Sequence, residues 1–117
     1  MKLTTKLQYK KLLENGQMQK SASERDQACD FKPVVKLFTP DAGAIWLLSE
    51  IDPDDRDIAF GLCDLGLGFP ELGTVSLKEL QEVRGKLGLP VERDRHWKAD
   101  RTISEYANDA RHHGHIR

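Results

Sequence analysis

Four carboxylates, Asp41, Glu50, Asp64 and Glu71, fall at the ends of apolar runs or in the segments flanking them. From such positions a rigid sheet can aim several acids at one point. Two or more of them converging on Mg²⁺ or Mn²⁺ would activate water for phosphodiester or similar hydrolysis, with Lys36 stabilising developing negative charge. Their spacing matches no specific metallonuclease pattern, and carboxylates in turns ordinarily face water or cap backbone amides. Asp41, Glu50, Asp64 and Glu71 are therefore the candidate metal set, no catalytic residue is assigned, and the first expectation is a protein without a cofactor.

Other constellations carry less chemistry. Gly66-Leu67-Gly68-Phe69-Pro70-Glu71-Leu72-Gly73 fits neither the P-loop nor the dinucleotide fingerprint, and Pro70 removes an amide where a phosphate cradle needs a donor. This stretch is too apolar for a solvated linker and is expected to lie against the body of the domain. His112, His113 and His115 could take a transition metal from solvent, but a frayed tail lacks the supporting contacts of a functional site. Arg93-Asp94-Arg95-His96-Trp97-Lys98 mixes cations with an aromatic, as single-stranded nucleic-acid grooves do. Asp94 and Glu92 dilute it, so it reads first as a half-buried strand with Trp97 over the core. Trp46 and Phe60, placed on one face of the sheet by one register, would form either core or a recognition patch.

The net charge of −1 conceals segregation: residues 41–82 carry ten acids against two bases, residues 1–20 five lysines against one glutamate. Such a chain lacks the overall positive field of most nucleic-acid binders. The longest apolar stretch, Gly43 to Leu48, is far short of the ~20 residues of a membrane span. The polar residues Gln8, Lys10, Lys11 and Glu14 occupy the place of a signal peptide's apolar core. A cytoplasmic protein is expected, with Cys29 and Cys63 reduced.

The elements that must position these groups follow from periodicity and punctuation. Leu3, Leu7, Tyr9, Leu12 and Leu13 give a helix over about residues 5–14, capped by Thr4 or Thr5 and stopped by Asn15-Gly16. Gln17 to Asp30 reads as a polar loop. Strands over 32–39, 44–52 and 58–65, joined by four-residue turns at 40–43 and 53–56, make an antiparallel meander. Ser76-x-x-Glu79 is a capping box opening a helix that ends at Gly85 or Gly88, and Thr102-x-x-Glu105 is a second one, opening a helix through about Arg111. The fold class is α+β: an antiparallel sheet of three to five strands with two or three helices packed on one face.

Lys36-Leu37-Phe38-Thr39-Pro40, Trp46 with Glu50, Phe60-Gly61, Glu71-Leu72-Gly73, Ser76-Leu77-x-Glu79-Leu80 and the stretch Val83 to Asp94 together resemble an uncharacterised bacterial family, domain of unknown function 2958. The resemblance covers about residues 32–98, with a helix and polar connection (1–31) before this core and a helix and tail (99–117) after it. Members are small proteins of plasmids, integrative conjugative elements and phages, so the resemblance implies a role in mobile-element biology. It supplies no reaction to carry over. Its residues coincide with the sheet-end region singled out above, making Phe38, Thr39, Trp46, Glu50, Asp64, Glu71 and Trp97 the candidate binding set. The functional expectation is a non-enzymatic accessory or regulatory protein that binds a protein or nucleic-acid partner through sheet-end loops. The alternative is a divalent-metal-dependent hydrolase.

Overall fold

A computed structural model describes residues 3–117. Helix α1 (Lys6–Glu24) starts at Thr5, whose side chain accepts from the Gln8 amide while the Gln8 side chain caps Thr5 in return. It does not stop at Asn15-Gly16, as its sequence suggests. Both residues are buried: Asn15 Nδ2 donates to the Ser49 carbonyl at 2.9 Å, and Gly16 lies against the backbone of Ile51 so closely that a Cβ would meet its oxygen at 1.8 Å. A pair suited to ending a helix serves here to let a helix cross a strand. Past Gly16, α1 runs on to Glu24 through mostly polar, exposed residues with only Ala22 buried, so its second half is polar although helical.

Strands β1 (Val35–Phe38), β2 (Ile45–Ile51), β3 (Ile58–Asp64) and β4 (Glu71–Ser76) form the meander, and β5 (Glu92–Arg93) adds to β1, for the order β4-β3-β2-β1-β5 with every pairing antiparallel. β4 begins at Glu71, inside the glycine-rich stretch read as irregular. The run around Trp97 is not a strand beyond Arg93: the chain turns at Asp94, whose carboxylate accepts from the His96 amide. Helix α2 (Leu77–Glu82) is also shorter than expected, since Val83 is already extended. Ser76 Oγ accepts from the Glu79 amide, but Asp57 supplies the other half of the cap by accepting from Ser76 Oγ and the Lys78 amide. Those bonds hold the Asp57 carboxyl below its ordinary range.

Helices cover both faces of the sheet rather than one. Alternation along β2 sends Trp46 and Leu48 to the face of α1, where Leu12, Val35, Leu37, Ile51, Leu80 and Val91 complete one core cluster. Leu47 and Leu62 point to the other face, under Ile103, Tyr106, Ala107 and Ala110 of helix α3 (Ile103–His113). A bulge at Ser49 shifts the β2–β3 register between Leu48 and Glu50 and returns Ile51 to the α1 face. Trp46 pairs with Cys63, so Phe60, three residues earlier, faces the opposite way. These two aromatics do not share a face.

The C-terminal tail is docked. Gly114 ends α3 in the left-handed conformation, Ile116 is buried under α3, and its amide donates to Asp64 Oδ2 at 2.9 Å.

Candidate functional site

Three loops meet at one end of the sheet: the β1–β2 turn, the β3–β4 loop and the α2–β5 connection. Side-chain acceptors pin each of them. Thr39, buried, closes the β1–β2 turn by accepting from the Ala44 amide at 3.0 Å. From that turn Asp41 reaches the α2–β5 connection, where its Oδ2 accepts from the amides of Leu87 (2.6 Å) and Leu89 (3.3 Å). The other oxygen is buried without a partner over Gly85, which has no room for a Cβ. Asp64, buried at the end of β3, accepts from the Gly66 amide at 2.9 Å and holds the tail through Ile116. Gly66 adopts a positive φ beside Gly43, which brings the β3–β4 loop against the β1–β2 turn.

Asp41 and Asp64 therefore brace backbone, Asp64 through both oxygens and Asp41 through Oδ2. Glu71 stands exposed at the start of β4. Glu50 pairs with Phe60 while Asp64 pairs with Ile45, which places Glu50 toward the opposite end of β2. The four acids do not converge: among the described residues no group of three or more His, Cys, Asp or Glu side chains is arranged to hold a metal ion, the tail histidines included. A sheet end is wide, and a carboxylate near a turn finds unsatisfied amides before it finds another carboxylate.

The remaining candidates divide the same way. Phe38 is half-buried in a hollow of about 250 Å³ beside Thr39, Ala44 and Ile45, closed by the Lys36–Asp94 pair at 3.7 Å. Trp46 is core. Trp97 packs on Tyr106, ring centroids 5.9 Å apart, and Arg101 lies 4.4 Å over the Tyr106 ring. Tyr106 Oη donates to Asp100 at 2.8 Å.

The pinned loops expose a group of residues that sequence reasoning passed over. Leu67 is 73% exposed, Phe69 80% and Leu87 80%, and Leu65 and Leu89 are exposed on the same two loops. Although Gly66 meets the β1–β2 turn, the β3–β4 loop does not cover its apolar side chains: Leu65 to Phe69 are exposed and only Pro70 is buried. Its apolar composition was the available signal, and it marks a presented surface instead of a covered one.

The chain matches the family model described as protein of unknown function DUF2958 over residues 3–117. It belongs to that family. The match includes α1 and the C-terminal tail as well as the 32–98 segment whose motifs carry the resemblance, in keeping with α1 and α3 each covering a face of the sheet. No curated protein and no solved structure matches the chain. No described helix is long and apolar enough to cross a membrane.

Proposed function

We propose that this protein is a non-enzymatic binding module, an accessory or regulatory protein of a mobile genetic element acting in the cytoplasm, and that it engages a protein partner through its loop end. The observation that carries this reading is the exposure of Leu65, Leu67, Phe69, Leu87 and Leu89 on loops whose backbones are held by Asp41 and Asp64. Leu65, Leu67 and Phe69 stand exposed within five residues of one loop, an apolar density that marks interaction sites on soluble domains. Because the loops are already fixed, docking orders little chain and wastes little binding free energy. Protein is favoured over nucleic acid because the surface is apolar, with exposed Glu71 at its margin; a phosphate backbone asks for clustered cations.

The test is affinity capture with the full chain and with a Leu67→Ser/Phe69→Ser/Leu87→Ser variant. These positions are 73–80% exposed, so the variant keeps its thermal midpoint within the effect of surface changes, about 0.5 kcal/mol each. A partner retained by the wild type and lost by the variant supports the reading. Equal retention by both removes it.

A further inference from the structure

At the opposite end of the sheet from these loops, the second half of α1, the β2–β3 turn and the start of α3 enclose an open cleft of about 920 Å³. That is within the range of small-molecule sites. Ile58, Phe60, Leu72 and Ile103 give it an apolar floor, while its charged lining is Glu24, Asp30, Glu50, Asp52 and Asp54 against a single base, Lys20. Lys20 is committed to Asp54, at 2.8 and 3.0 Å. Asp30 is committed to the Ser104 hydroxyl and amide, and Asp52 accepts from the Asp54 amide. Glu50 alone is half-buried with no hydrogen-bond or ion-pair partner among the described residues.

A half-buried carboxylate over apolar side chains is incompletely solvated, and an ammonium placed against it offsets that cost. The acids around it are spread along the cleft, with no three arranged for one metal ion, so a point charge does not match them. A chain of charges does. We propose that this cleft binds an alkyl polyamine, one ammonium paired with Glu50, the methylenes on Ile58, Phe60 and Leu72, and a second ammonium at the acidic rim of Glu24 and Asp52. Both halves of the ligand are then matched, its charge by the acids and its chain by the floor. This site is separate from the loop end, and neither proposal depends on the other.

The experiment is an amide NMR titration of the full chain with spermidine at constant ionic strength, with Mg²⁺ and a lysine-rich peptide titrated separately. Saturable shifts at Glu50, Phe60 and Ser104 with spermidine, and weaker, unsaturating ones with Mg²⁺, are expected. Glu50→Gln should weaken spermidine about tenfold, the worth of one charge-assisted pair. Thr74→Lys, at an exposed position in the cleft lining, should weaken it too by placing a competing ammonium there, and serves if the first variant misfolds. The proposal is overturned if spermidine produces no saturable shift in the cleft, if Mg²⁺ or the peptide shifts the same amides more strongly, or if a folded variant binds spermidine as the wild type does.

Discussion

Replacing Gly16 with alanine separates two physical effects of opposite sign. In an exposed helix interior, Gly→Ala stabilises by about 1 kcal/mol. Here a Cβ would stand 1.8 Å from the Ile51 oxygen, 2.9 Å from its carbonyl carbon and 3.3 Å from Pro53 Cδ, where real Cβ contacts stay above 3.0 Å. The obstruction is backbone of a central strand, so α1 and β2 must part by about 1.2 Å, the difference between 1.8 and 3.0 Å. Overpacking of that kind costs roughly 1–3 kcal/mol. The same movement stretches the 2.9 Å bond from Asn15 to the Ser49 carbonyl, and leaving that buried amide unpaired costs about 1–3 kcal/mol more. Gly16→Ala is therefore expected to destabilise by about 3 kcal/mol net, and to lower the thermal midpoint by roughly 10 °C in a domain of this size. Urea denaturation at 25 °C measures it, with Gly73→Ala as the control. Gly73 has nothing within 4 Å of its missing Cβ, so that change should be neutral or stabilising, within about 1 kcal/mol. A Gly16→Ala protein as stable as the wild type would refute the packing argument and with it the reason the helix continues past Asn15.

Asp64→Ala removes the acceptor of both the Gly66 and the Ile116 amides; the expected loss is about 2–4 kcal/mol, and hydrogen exchange should show the Ile116 amide deprotected, whereas unchanged protection would mean that the tail is held by α3 packing alone. Burial, and secondarily the charge of Asp52, hold the Glu50 carboxyl above its ordinary range, so the folded protein takes up that proton more readily than the unfolded chain. Its contribution is full below the unfolded value and lost as pH rises through the raised one. Glu50→Gln should accordingly raise the thermal midpoint at pH 7, with the difference closing toward about pH 3.5, where both states are protonated; a midpoint lowered at pH 7 would show that the charged form is stabilised instead. Thr102→Ala, which removes the side chain that accepts from the Glu105 amide and leaves the Glu105 carboxylate on the Thr102 amide, should cost about 1 kcal/mol, read by thermal denaturation; no change would mean that docking of α3 on Leu47 and Leu62 determines its start.

The meander, the three helix starts and the α+β class were legible because each depends on short-range chemistry: alternation in Ile45–Ile51 and Ile58–Asp64, and the hydroxyl caps at Thr5, Ser76 and Thr102. What depends on contacts distant in sequence was not legible. Asn15-Gly16 reads as a stop until Ser49 and Ile51 are placed against it. Trp46 and Phe60 share a face only in a register that the observed pairing of Trp46 with Cys63 excludes. The tail reads as frayed until Asp64 receives the Ile116 amide. Among the candidate site residues, acids were identified by position near turns, but whether an acid there meets a metal, an amide or water depends on where three separate loops end. Asp41 and Asp64 met amides, Glu71 met water, and Glu50 was left half-buried with no hydrogen-bond partner among the described residues.

The loop end is proposed as a docking surface for a protein. Its most direct test places a photo-crosslinking residue at Phe69, at Leu87 and, for comparison, at Met18, an exposed apolar position on α1, and illuminates the full chain in its source cells. Discrete adducts of one partner from positions 69 and 87, with none from 18, are the result predicted. Adducts formed equally from position 18, or none from 69 and 87, would contradict the account.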